Sequence, residues 1–119
     1  MVIDKMEYGN ERSRKVIATG CHKGHQYVVM NQGTHPCCYV AFPNGKAINK
    51  DLIECHGGVT YTEDHLPGDT PINGVYWIGW DYAHVSDWIW FDPHGKKWTT
   101  EELEEECIAV IDTIEEENE

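Results

Sequence analysis

The residues best suited to chemistry fall in one stretch, from His56 to Asp87. It carries two dense motifs, His56-Gly57-Gly58-Val59-Thr60-Tyr61 and Trp77-Ile78-Gly79-Trp80-Asp81-Tyr82-Ala83-His84-Val85-Ser86-Asp87. Imidazole and carboxylate side chains together either ligate an ion such as Zn²⁺ or work as a general base with its orienting acid. His56, Asp81, His84 and Asp87 are therefore the candidate catalytic set, placed where the ends of the two motifs would converge. Their spacing matches no HExxH-type metal signature, so a divalent ion stays one open alternative and a satisfied polar network another. Gly57 and Gly58 let a ligand approach the backbone, and two successive amides can cradle a phosphate or carboxylate. Tyr61, Trp77 and Trp80 offer aromatic walls, although strand aromatics pack in cores by default.

Other chemistry is thinner. Cys38 and Cys55 stand as thiol nucleophiles, but neighbours on a strand point to opposite faces, which would separate Cys55 from His56. Cys21, His22 and His25 lack the paired spacing of a structural zinc site. His65 and His94 fall in loops and read as solvent-exposed.

A frame is needed to position these groups. Runs of β-branched and aromatic residues predict strands over 15–19, 25–31, 37–42, 52–56, 59–62 and 75–81, the first two joined as a hairpin. The run 75–81, VYWIGWD, is aromatic on both faces and reads as an interior strand. Residues 63–74 form a turn-rich linker, and 82–97 are irregular, with Trp88, Trp90 and Trp98 packed over the sheet. Near the C-terminus Thr99 is an N-cap with Glu102 three residues on, a capping box, and Trp98 with Leu103 forms a hydrophobic staple. Leu103, Cys107, Val110, Ile111 and Ile114 make one apolar helical stripe, which suits packing on the sheet and equally a dimer seam. The expected class is α+β: a mostly antiparallel sheet of about five to six strands with one C-terminal amphipathic helix packed on it. Residues 1–13 read as a flexible lead-in, 14–116 as a single domain and 117–119 as an acidic tail.

Charge is concentrated at one end. The formal net charge is −12, yet residues 101–119 hold ten Asp or Glu and no Lys or Arg, which leaves the first hundred residues with 11 acids against 9 bases. Like-charge repulsion argues against nucleic acid or an anionic membrane as a ligand of that face. A basic protein partner is permitted; the plainer reading is a solvated helix face. The charged N-terminal residues do not read as a signal peptide, and no run approaches the roughly eighteen apolar residues of a membrane span. Five cysteines without repeated spacing read as reduced thiols in a cytosolic protein.

Together the motifs resemble a family of small, uncharacterised proteins encoded in bacteriophage genomes. That family shows a Gly-His-x-Cys-Gly-Tyr-Val-like strand, then His-Gly-Gly-Leu-Thr-Tyr, then Trp-Trp-x-Gly-Phe-Asp-Cys-Ala-His-x-x-Asp. The matching segments are Thr34 to Val40, His56 to Tyr61 and Trp77 to Asp87, within a resemblance that spans residues 24–116. It carries over His35, Tyr39, His56, Gly57, Gly58, Thr60, Tyr61, Gly79, Asp81, His84 and Asp87. Two positions depart: Tyr82 replaces a Cys, which argues against a thiol nucleophile there, and Cys38 replaces a Gly. The resemblance implies a phage origin and a host-cytoplasmic setting, and it brings no activity with it.

Two functional expectations follow. In the first, His56, Asp81, His84 and Asp87 hydrolyse or bind a phosphate-containing small molecule or nucleotide. Gly57, Gly58, Thr60, Tyr61 and Trp77 contact that ligand, with or without a divalent metal ion. In the second, the chain is an anti-CRISPR-type inhibitor that binds a host defence protein through Glu101, Glu104, Glu105 and Glu106.

Overall fold

β-Branched and aromatic runs set up the sheet, and a capped amphipathic segment closes one face of it. The computed structural model describes residues 15–31, 35–43, 53–66, 75–83, 87 and 95–117. The strands are β1 (Lys15–His22), β2 (His25–Asn31), β3 (Pro36–Pro43), β4 (Tyr61–Glu63) and β5 (Val75–Asp81), followed by the helix α1 (Thr100–Glu117). The five strands pair antiparallel, in the order β1-β2-β3-β5-β4, and Asp87 makes an isolated parallel bridge with Lys96. The expected α+β class, antiparallel sheet and packed C-terminal helix are all present. Among the described residues no helix is long and apolar enough to cross a membrane.

β1 and β2 turn through Lys23 and Gly24, both at positive φ, the two-residue geometry that matches strand twist. β1 therefore runs to His22, three residues beyond the expected Thr19. A bulge between Val16 and Ala18 lets consecutive residues Ile17 and Ala18 both turn inward. Two glycines make room for cross-strand rings. A Cβ on Gly20 would stand 2.3 Å from the ring of its partner Tyr27, and one on Gly79 2.5 Å from the ring of its partner Tyr39.

The sheet is apolar on both faces. On one, Ile17, Val29, Cys38, Val40, Phe42, Ile78 and Trp80 meet the α1 stripe of Leu103, Cys107, Val110, Ile111 and Ile114. Burying each large apolar side chain contributes about 1.5–3 kcal/mol. That stripe is fully buried in the chain's own core. The other face gathers Val28, Met30, Cys37, Tyr39 and Trp77, with Tyr61 and Leu66 beside them.

The α1 start is built as its sequence requires. Thr99 N–H donates to Glu102 Oε1 at 3.0 Å, and Glu102 N–H donates to Thr99 Oγ1 at 3.2 Å, while Trp98 packs on the cluster that holds Leu103. α1 continues through Glu117, one residue into the expected tail. The expected strand over 52–56 is not formed: residues 53–55 lie outside any strand and a turn follows. The expected strand over 59–62 is the shorter β4. Residues 1–13, His94, Trp88, Trp90 and most of the 63–74 linker lie outside the described residues.

Candidate functional site

His56 stands at the corner of a tight turn. Gly58 N–H donates to Cys55 O at 3.0 Å, and Gly57 at the third position has φ 74°, a conformation that demands glycine there. The turn aims the imidazole at Asp87. His56 Nε2 lies 2.9 and 2.7 Å from the two oxygens of that carboxylate, which is fully buried, while the imidazole side chain is 20% exposed. Trp98 Nε1–H donates to Asp87 Oδ1 at 3.0 Å. A buried carboxylate is tolerated because donors surround it.

The ring itself is clamped. Tyr82 stacks on it, centroids 4.5 Å apart and planes 7° from parallel, and Trp98 meets it edge-on at 5.1 Å. Behind it, His56 N–H donates to Glu106 Oε1 at 2.6 Å, so α1 fixes the backbone as well. Because a carboxylate can only accept, Nε2 carries the hydrogen and a neutral ring keeps its lone pair at Nδ1. An imidazole oriented by a buried acid is the arrangement used to take up and return a proton.

Asp81 is not part of this cluster. Trp80 and Tyr82 lie on the α1 face, where Trp80 Nε1–H donates to Tyr82 Oη at 3.1 Å. Asp81 sits between them in strand alternation and so belongs to the opposite side, its Oδ1 accepting from Ala83 N–H at 3.4 Å. Tyr61 and Trp77 are on that opposite side too, with Tyr39 edge-on to Tyr61 at 5.2 Å. The expected single pocket is thus divided by the sheet. Its walls are Tyr82 and Trp98, and His84 lies outside the described residues. Nor do the Gly57 and Gly58 amides form a free pair, since the Gly58 N–H closes the turn. Thr60 is exposed, its N–H given to Gly79 O at 2.9 Å, while a Cβ on Gly58 would meet open space.

Tyr82 and Trp98 were identifiable from parity and neighbourhood. Ile78, Trp80 and Tyr82 share one alternation, and Trp98 precedes the helix cap that must approach the sheet. Thiol chemistry is disfavoured: burial, reinforced by Glu106, pushes Cys55 up to about 12, and burial beside Cys107 drives Cys38 well above the ordinary thiol range. Both are thiols at neutral pH. Asp87 accepts from the Trp98 indole and the His56 imidazole. Among the described residues, the group whose ligand atoms converge as an ion would require is Glu63, Asp64 and His65, at the exposed end of β4.

The acidic face of α1 is less free than its composition suggests. Glu104 accepts from Tyr27 Oη at 3.0 Å and Glu106 from His56 N–H. Glu102 pairs with Lys96 at 2.7 Å, and Asp112 with His22 and Lys23, each at 2.8 Å. Of the proposed partner-binding set, Glu101 and Glu105 are the exposed members. Comparison with family models, with curated proteins and with solved structures returned no match to this chain.

Proposed function

We propose that His56 and Asp87 form the acid–base centre of a small-ligand site that hydrolyses or binds a phosphate-containing small molecule or nucleotide. The observation that carries this reading is the buried Asp87 carboxylate gripping a partly exposed imidazole. In hydrolysis, Nδ1 accepts a proton from the attacking water and later returns it to the leaving group, while Asp87 stabilises the imidazolium formed in between. Trp98 and Tyr82 hold the ring plane, and the open backbone at Gly58 gives a ligand room to approach. The motif resemblance to phage proteins adds support, since it retains His56, Gly57, Gly58 and Asp87. The test is ³¹P NMR of the purified protein with a panel of nucleotides and phosphate esters. Turnover or a bound-state shift should appear in the wild type and vanish in His56→Gln with the fold retained. Turnover that survives His56→Gln rejects the mechanism; a panel with neither turnover nor shift rejects the ligand class.

A second reading rests on Glu101 and Glu105, which project from α1 as exposed carboxylates. An inhibitor of a host defence protein would set them in a basic nucleic-acid channel. Reversing those two charges should then abolish a salt-sensitive complex, whereas reversal at Glu104 or Glu106 would disturb the fold itself.

A further inference from the structure

Glu106 stands on α1 one position before Cys107 of the buried stripe, and it is half-buried. Its carboxylate reaches the loop that carries His56. Oε1 accepts from the His56 backbone N–H at 2.6 Å. Its charge adds to burial in pushing the thiol of the preceding residue, Cys55, up to about 12. It is also a side-chain hydrogen-bonding partner of the Tyr82 phenol. Counting donors and acceptors gives that last contact its sense. Tyr82 is fully buried, its oxygen already accepts from Trp80 Nε1–H at 3.1 Å, and its own O–H requires an acceptor.

Both arms of this carboxylate end on one imidazole. The first fixes the backbone from which the ring hangs. The second fixes the aromatic slab stacked on that ring, 4.5 Å away and 7° from parallel. Asp87 then takes the Nε2–H and Trp98 closes the edge. A catalytic ring needs its anchor point, its plane and its hydrogen bond all set. Asp87 supplies the hydrogen bond, and Glu106 governs the anchor and the plane through other groups.

We propose that Glu106 is the positioning residue of the His56–Asp87 pair, a carboxylate on α1 that holds the His56 backbone and the Tyr82 ring together and thereby orients the imidazole. The inference rests on the reading of His56 and Asp87 as an acid–base centre. A misplacement of about 1 Å costs on the order of a hundredfold in rate, so its loss falls on kcat rather than on KM.

The test is ¹H–¹³C correlation of the His56 ring in the intact protein, without ligand. In the wild type, stacking on Tyr82 holds the ring protons upfield of those of a solvated histidine. Glu106→Gln keeps the reach and an acceptor for the His56 N–H, and should keep that signature. Glu106→Leu has no acceptor and should move the ring protons toward solvated values, with the amide shifts of β1, β2 and β3 unchanged. Glu106→Asp keeps the charge but loses a methylene of reach; it should give an intermediate shift, and it decides the matter if Glu106→Leu does not fold. With a phosphate ester that the wild type turns over, Glu106→Leu should lower kcat by about a hundredfold and leave KM little changed. Wild-type ring shifts in Glu106→Leu or Glu106→Asp overturn the proposal, as does a loss in Glu106→Gln equal to that in Glu106→Leu. The ring measurement needs no ligand, so a panel without turnover rejects the phosphate reading while the ring shifts still decide the role of Glu106.

Discussion

Removing the Asp87 carboxylate would leave the Trp98 indole N–H and the His56 Nε2–H without their acceptor. Each buried donor left unsatisfied costs about 1–3 kcal/mol, so Asp87→Ala should lower the urea midpoint of unfolding as well as any activity. His56→Phe keeps a ring on Tyr82 but leaves Asp87 without its imidazole partner. It should therefore be less stable than His56→Gln, whose amide can still donate, by chemical denaturation. Both members of the pair were readable from the sequence as residue types, because few side chains other than His and Asp suit that chemistry. Which partners they would choose was not. The side of the sheet depends on strand parity at Asp81 and Tyr82, and the turn at Cys55 to Gly58 replaces an expected strand, so the Cys55–His56 separation argued from strand geometry does not apply.

At the level of elements, glycine substitutions distinguish two kinds of close contact. A Cβ on Gly79 would press into the middle of the Tyr39 ring and stand 3.0 Å from the Cys38 carbonyl, whereas on Gly20 it meets the outer end of the Tyr27 ring. Backbone cannot yield as a side-chain tip can. Gly79→Ala should thus be the more destabilising, by about 1–3 kcal/mol, and Gly20→Ala the milder, with loss of the Tyr27–Glu104 hydrogen bond; thermal unfolding of the two variants ranks them. Thr99→Ala should cost about 1 kcal/mol through the lost cap, read as a fall in unfolding midpoint. β2 and β5 match their expected limits, and the α1 cap and stripe match theirs, because periodicity and capping are written locally. The extension of β1 and the shortness of β4 are not local. One is set by a Lys23-Gly24 turn that tolerates positive φ, the other by how few residues pair with β5 at the sheet edge.

Across the whole molecule, pH acts through both ends of the titration range. Burial, with Glu104 beside it, pushes Tyr27 up to about 12, and burial with Glu106 does the same for Cys55. Both groups are neutral in folded and unfolded chains at low pH. The unfolded chain ionises first, so stability falls from about pH 9 for Cys55 and about pH 10 for Tyr27, and levels off near 12. Tyr27→Phe should flatten the upper part of that fall in denaturation midpoints measured against pH. In acid the order reverses. Lys23 and His22 hold Asp112 below its usual range, as Lys96 and Thr99 hold Glu102. Their contribution is complete above the ordinary carboxylate range and disappears as pH drops through the lowered values. The sheet order carries one more consequence, for the ribosome. β5 must slip between β3 and the earlier strand β4, and the His56 backbone waits for Glu106, fifty residues further along the chain. During synthesis the β1–β2–β3 meander can pair as it emerges, but the His56 backbone has no Glu106 anchor until α1 has left the exit tunnel. A nascent chain arrested before Glu106 should carry a sheet whose His56 turn is not yet fixed.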